Sequence, residues 1–535
     1  MATLAPPRVA PGNATRAPAP PAWLVGAGGL VAVLGLLPIG YLVILAVGGG
    51  GDPIAAAFRD RTVGVLGRTL LLAGTVTVAS VLVAVPLAWL TTRTDVPGRR
   101  MWAVLTVLPL VVPSYVGGYA VVAAFGPRGA LQSALEPFGV LRLPELYGFP
   151  GAALALTLFS FPYVVLSVRG ALLRMDPAFE EVSRSLGRGP WRTFFTVTLP
   201  QLRPAIAAGA LLVALYSLAD FGAVSLLQFD SFTRAIYVQY RASFDPTLAA
   251  VLALMLVACT AAILFAESRI RGRARYHRSG GGAVRPAPVV HLAAWRWPAL
   301  ALCIFVVGFS VVLPVGTIAF WLIRGVSAGE PLTFVWDATL NSVIASALAA
   351  VLAVVASIPV AVLAVRHRGF VGTLVERATY AGFALPGIVI GLAFVFIAAR
   401  YLPWIYQTLP LLLLAYLVRF APEAVGITRT SLLQVSPRIE EAARTLGRPP
   451  GAVLRSVTLP IIRPGLAAAG ALVFLTAMKE LPTTILLAPT GFDTLAVRIW
   501  SATSEGFFAR AAAPALLMIV VSAVSLALVL RQERN

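Results

Sequence analysis

Apolar residues in this chain come in long blocks rather than in alternation. Twelve runs, near 23–47, 64–90, 102–125, 149–173, 205–228, 247–266, 297–323, 339–364, 378–399, 408–428, 465–488 and 511–530, are rich in Leu, Val, Ala and Ile. A helix needs ~20 apolar residues to cross a hydrocarbon core of ~30 Å, and a membrane barrel would show shorter stretches of alternating polarity. The pattern predicts an all-α integral membrane protein with twelve transmembrane helices.

The polar intervals between the blocks are short, and two are near-copies. Glu180-Glu181-Val182-Ser183-Arg184-Ser185-Leu186-Gly187-Arg188 leads to Val197-Thr198-Leu199-Pro200 and then Arg203-Pro204. Glu440-Glu441-Ala442-Ala443-Arg444-Thr445-Leu446-Gly447-Arg448 leads to Val457-Thr458-Leu459-Pro460 and then Arg463-Pro464, every position offset by 260. Upstream, Pro86, Arg93 and Pro113 match Pro359, Arg366 and Pro386 at an offset of 273. The 13 residues of difference fit the Gly- and Pro-containing outside loop around 126–148. Six spans per half, an even number, give two parallel repeats related by an axis along the membrane normal. The expected division is a disordered Pro/Ala-rich tail at 1–22, a first six-helix unit at 23–266, an Arg-rich linker at 267–296 carrying Gly280-Gly281-Gly282, and a second unit at 297–535. The run at 23–47 is long for a cleaved signal peptide and is read as a retained helix.

Each duplicated interval carries the marks of a short helix. Asp176-Pro177 and Ser436-Pro437 are start signals, and Glu180, Glu181, Glu440 and Glu441 lie near the positive helix end. Gly187 and Gly447 supply a left-handed stop. A helix of about ten residues, ~15 Å long, follows. Phe179, Val182 and Leu186, like Ile439, Ala442 and Leu446, form one small apolar face. The Leu-Pro pairs are expected to end a second short segment, because a residue before proline avoids the helical region. As surface decoration, the Glu180–Arg184 and Glu440–Arg444 pairs would be worth only ~0.3 kcal/mol each. That alternative does not require the same glycine and the same Thr-Leu-Pro twice.

Composition agrees with the block pattern. Of 535 residues 59% are hydrophobic and 12% charged, and mean hydropathy is +0.87; soluble domains are typically about 25% charged. The net charge of +20 raises the possibility of nucleic acid, but its distribution excludes that reading. With the N-terminus inside, thirty Lys and Arg fall in inside segments against ten outside, while the acids divide ten and ten. This is the positive-inside rule, and it places both termini in the cytoplasm. Cys259 and Cys303 lie in apolar runs, so no disulfide framework is legible. His277, His291 and His367 lie in cytoplasmic loops without ligand spacing and read as solvated. The one lysine, Lys479, follows no glycine-rich loop, so there is no Walker A motif. No catalytic residue is legible.

A glutamate, two small residues, a glycine and a Leu-Pro some twelve positions on make the cytoplasmic signature of permease subunits of binding-protein-dependent ABC importers, which this chain resembles across both six-span units. Val182-Ser183 departs from the usual small alanines; Ala442-Ala443 conforms. The resemblance implies a type I importer permease fold and coupling helices contacting an ATPase through Glu180, Glu181, Gly187, Leu199, Pro200, Glu440, Glu441, Gly447, Leu459 and Pro460. It also implies two ATPase subunits holding ATP and Mg, no cofactor on this chain, a substrate-binding protein at the outer face, and a place in the bacterial inner membrane. Met478-Lys479-Glu480-Leu481-Pro482-Thr483-Thr484, Gly491-Phe492-Asp493-Thr494-Leu495-Ala496, Ala219-Asp220-Phe221-Gly222 and Ile236-Tyr237 are similar to the iron(III) permeases of this superfamily.

From the residues themselves, charges inside spans are costly and usually functional, and carboxylate and phenol oxygens suit a hard cation. Asp220, Tyr237, Lys479 and Glu480 are therefore candidates for a substrate path, with Tyr216 and Tyr240 nearby; a metal site is not specified. Pinning a bent helix explains Asp220, Lys479 and Glu480 equally well. Thiamine, sulfate, polyamine or phosphonate import within the superfamily, a secondary transporter and a non-transporting assembly protein remain the alternatives.

Overall fold

The computed structural model describes residues 20–48, 57–126, 129–139, 146–242, 246–271, 289–330, 334–367 and 369–532, with Asp52 and Ala55. Most of the 1–22 tail and the centre of the 267–296 linker, with His277, lie outside them. Ten described helices are long and apolar enough to cross a membrane, and two bent helix pairs bring the number to twelve. Among the described residues the β structure is one isolated bridge.

The bent pairs correct the expectation of straight crossings at 102–125 and 378–399. Arg99–Val111 turns by 96° into the helix that begins at Ser114, and Phe370–Ala384 turns by 103° into Gly387–Tyr401. Val112 (φ −83°, ψ 118°) and Leu385 (φ −89°, ψ 117°) are the break points. Each precedes a proline of the repeat, Pro113 or Pro386, whose ring disfavours a helical neighbour. The runs at 205–228 and 465–488 are interrupted as well. Their helices end at Ala219 and Met478, and short helices Gly222–Leu226 and Pro482–Leu487 follow.

The two sequence units interlock. Leu24, Val31 and Ala32 of the first helix, Ala22–Gly48, share a core with Val360, Leu363 and Val375 of the second unit. Gly28 permits the approach, since a Cβ there would stand 2.7 Å from Leu363 Cδ1. Reciprocally, Cys303, Val306 and Val307 at the start of the second unit pack among Leu87, Val168 and Leu202 of the first. The end of the linker is fixed too. Val290 bridges Thr94, Val290 N–H donates to the Arg93 carbonyl at 2.8 Å, and Leu292 N–H donates to Asp95 Oδ1 at 2.9 Å. His291, read as solvated, has an exposed ring whose Nδ1 lies 3.1 Å from Asp95 Oδ2.

Candidate functional site

The duplicated intervals fold as helices Ala178–Ser185 and Pro437–Thr445, slightly shorter than expected. Gly187 (φ 78°) and Gly447 (φ 82°) are left-handed. Arg188 N–H donates to the Ser183 carbonyl and Gly187 N–H to that of Arg184; Arg448 and Gly447 repeat both bonds on Ala443 and Arg444. These are the paired bonds of a Schellman stop. At the start, Asp176 Oδ1 accepts from Ala178 N–H at 3.0 Å, whereas Ser436 makes no side-chain cap bond.

Each helix lies with its polar face inward and its apolar face outward. Glu180 is 3% exposed and Glu440 6%, while Leu186 is 72% exposed and Leu446 84%. Phe179, Val182 and Ile439 are also exposed, as are Glu181 and Glu441. The hydrophobic effect alone would turn the helices over, so specific polar bonds must hold them. Thr198 Oγ1 donates to Glu180 Oε1 at 2.9 Å, and Thr458 Oγ1 donates to Glu440 Oε1 at 3.0 Å.

The matched arginines complete the anchorage. Arg93 Nη2 donates to the Leu172 carbonyl at 2.9 Å, and Arg366 Nη2 donates to the carbonyls of Leu432 and Val435. Each thereby caps the last turn of the preceding span. Arg366 also pairs with Glu440 at 3.0 Å, displacing the expected Glu440–Arg444 pair, while Arg184 stays near Glu180 at 3.7 Å.

Leu199-Pro200 and Leu459-Pro460 do not end a segment, contrary to the sequence reading. The backbone runs helically from Pro190 to Ala219 and from Pro450 to Met478, through π turns at Phe194–Thr198 and Leu454–Thr458. A proline cannot bond the carbonyl four residues back and its ring crowds it; a wide turn just before it relieves both constraints. The same turns place Thr198 and Thr458 over the buried glutamates.

A cavity of about 390 Å³ lies where the halves meet. The first half lines it with Ser114, Tyr115, Tyr163, Tyr216 and Asp220, the second with Arg419, Glu423, Lys479 and Glu480. Asp220, Lys479 and Glu480 of the candidate path thus come together. Tyr237 and Tyr240 are not among the lining residues. Tyr237 packs its ring 4.9 Å from that of Phe221 and accepts from Arg241 Nη1 at 3.0 Å, and Tyr240 stacks edge-on against Phe396. Arg419 and Glu423, which were not singled out from the sequence, sit within helix Leu409–Gln434. Their i, i+4 spacing around Pro422, inside an apolar run, was the available signal.

The cavity charges satisfy interrupted helices. Asp220 Oδ1 accepts from the N–H groups of Ala223 and Val224 at 3.0 and 3.2 Å. Glu480 Oε1 accepts from Thr483 N–H at 3.2 Å and from its hydroxyl at 2.6 Å. Lys479 Nζ donates to the Leu110 carbonyl at 2.8 Å and Arg419 Nη1 to the Leu385 carbonyl at 3.1 Å. Acids therefore sit at starting N–H groups and bases at terminal carbonyls, as the helix dipole favours. Without water, broken backbone at membrane depth needs such partners. Glu480 Oε2 remains 4.0 Å from Arg419 Nε. Among the described residues no three His, Cys, Asp or Glu side chains group to hold a metal ion.

Residues 80–276 and 353–535 match the family model described as binding-protein-dependent transport system inner membrane component. The chain belongs to that family. This permease is 36% identical over 514 residues to the Fe(3+)-transport system permease protein FbpB 2 of Haemophilus influenzae, covering 94% of this chain and 97% of that one. It is 27% identical to the ferric transport system permease protein FbpB of Actinobacillus pleuropneumoniae, over 85% of this chain and 69% of the other. The sulfate transport system permease protein CysT of Escherichia coli K12 is 29% identical over 45% of this chain and 89% of its own length. The permease is accordingly a multi-pass inner membrane transport subunit with the type I importer permease fold. The family match in two segments agrees with the internal repeat.

Proposed function

We propose that this permease forms the membrane path of an ATP-driven importer for ferric iron, and that helices Ala178–Ser185 and Pro437–Thr445 each dock one of two ATPase subunits. The observation that carries the docking reading is the twice-repeated inversion: buried Glu180 and Glu440 hold exposed Leu186 and Leu446 toward the surroundings. An apolar surface presented this way, at polar intervals assigned to the cytoplasm by the positive-inside rule, suits a partner's cleft. ATP and Mg would reside on those partners, and a binding protein would deliver cargo at the opposite face. Both termini lie in the cytoplasm on this reading.

The near-full-length likeness to ferric permeases supports iron. The CysT likeness spans less than half of the chain and leaves sulfate as the second reading. The oxygen-rich first wall, Tyr115, Tyr163, Tyr216 and Asp220, suits a hard cation in transit. Closure of the ATPases would move both helices and rock the interlocked halves about the cavity. The test is uptake of radiolabelled ferric iron into proteoliposomes carrying the permease, its ATPase and loaded binding protein. ATP-dependent iron uptake that excess sulfate does not reduce supports the proposal; sulfate uptake without iron uptake overturns it.

A further inference from the structure

We propose that Lys479 is a positioning residue that ties the two halves together across the cavity in the closed path, and not a ligand of the cargo. The inference rests on the reading above, in which the halves move relative to one another. It begins with Leu110, in the short turn Leu108–Val111 that ends the first arm of the bent span. The chain leaves the helix at Val112, so the Leu110 carbonyl loses a helical partner, and a terminal carbonyl at membrane depth needs a donor. Lys479 supplies it at 2.8 Å from the other half.

The second bent span solves the same problem internally. Its Leu385 carbonyl accepts from Arg419, a residue of the same half. The first half carries no cation at the two corresponding positions. The positions matching Arg419 and Lys479 at the 260-residue offset are Phe159 and Ala219. Of the two bend caps, the lysine bond alone therefore spans the halves. Glu423, which accepts from the Thr476 hydroxyl at 2.9 Å, lines the same cavity. With Nζ committed to a carbonyl, Lys479 is suited to holding the first bend in place. A charged hydrogen bond of this kind is worth enough to shift a two-state equilibrium about tenfold or more.

The test uses Lys479→Met, Lys479→Arg and wild type. In proteoliposomes with ATPase subunits, Met is expected to raise ATP hydrolysis without binding protein about tenfold and to flatten its stimulation by loaded binding protein, with Arg restoring wild-type behaviour. A second measurement needs no ATPase. With Cys259 and Cys303 replaced by Ala, a cysteine at buried Val112 is probed with a small maleimide in membranes. Labelling about tenfold faster with Lys479→Met than with Lys479 supports the tie. Equal labelling rates, or Arg behaving like Met, overturn it. Absence of any ATP hydrolysis by the wild-type assembly would instead strike at the proposed function, leaving the labelling experiment to judge the tie.

Discussion

Thr198 donates its hydroxyl to Glu180 Oε1 at 2.9 Å, joining the first duplicated helix to the π turn that opens the next span. Thr458 and Glu440 repeat the bond at 3.0 Å. On the docking proposal such a helix needs a stiff joint to the span behind it, and the joint observed is a buried carboxylate rather than an apolar contact.

The two joints should differ in strength. Glu440 accepts from Thr458 and pairs with Arg366 at 3.0 Å, whereas Glu180 accepts from Thr198 and has Arg184 only at 3.7 Å. The shorter charge-assisted contact is the stronger. Glu440→Ala should therefore lower the thermal stability of the purified permease more than Glu180→Ala, although Arg93 and Arg366 both keep their carbonyl partners. Melting curves in detergent that rank the two variants the other way would contradict this.

Gly187 and Gly447 should tolerate alanine better than proline. A Cβ at either meets nothing within 4 Å, so the cost is the positive φ alone, about 1–2 kcal/mol. Proline fixes φ near −65° and deletes the N–H that bonds Arg184 or Arg444. The expected order of transport is wild type, then Gly→Ala, then Gly→Pro with transport abolished and ATPase activity uncoupled while membrane insertion continues. Wild-type uptake by either proline variant sinks the expectation.

Much of this was legible in the residues. The repeat, the glycine stops and the blocks of apolar residues follow from local rules that a single chain records. The inverted faces of the short helices were not legible, because a pattern of apolar positions says which side is apolar and not whether that side has been covered. The π turns escaped for a related reason: a proline reads locally as a helix end unless the preceding turn widens. Arg419 and Glu423 fall inside the run at 408–428, but the run alone did not show that the carbonyl at the Leu385 bend gives the arginine a partner within the membrane. The Pro113–Pro386 correspondence was visible without revealing a turn near 100°, since the angle comes from packing on both sides of the break.

Capping and cargo contact at Glu480 can be separated by two substitutions. Glu480→Ala loses the Thr483 cap, worth ~1 kcal/mol, and should reduce iron flux with assembly intact. Glu480→Gln keeps an acceptor for Thr483 while removing charge. Flux restored by Gln assigns the residue to holding the interrupted helix; flux lowered equally by both assigns its charge to the path. Unchanged flux in the alanine variant would contradict any part in transport.

The linker contact should respond to acid. The Leu292 N–H, followed by the His291 side chain, holds the Asp95 carboxyl below its ordinary range. A group depressed in the folded state stabilises above its unfolded pKa, near 4, and loses that contribution as pH falls through the lower folded value. The contact at Val290 should therefore be intact at neutral pH and weaken below pH ~4. Asp95→Ala should loosen it at neutral pH and approach wild type in acid. Proteolysis by an acid-tolerant protease, watched at the bonds around residue 290, reads this directly; equal cleavage of the two proteins at pH 7 would contradict it.

The most direct test concerns the outward apolar faces. Leu186→Glu and Leu446→Glu change side chains that stand 72% and 84% exposed, so permease yield and melting should stay near wild type. ATPase subunits co-purified with the permease should be reduced by either substitution and lost in the double variant. Full recovery of ATPase subunits with the double variant would contradict the docking assignment of both helices.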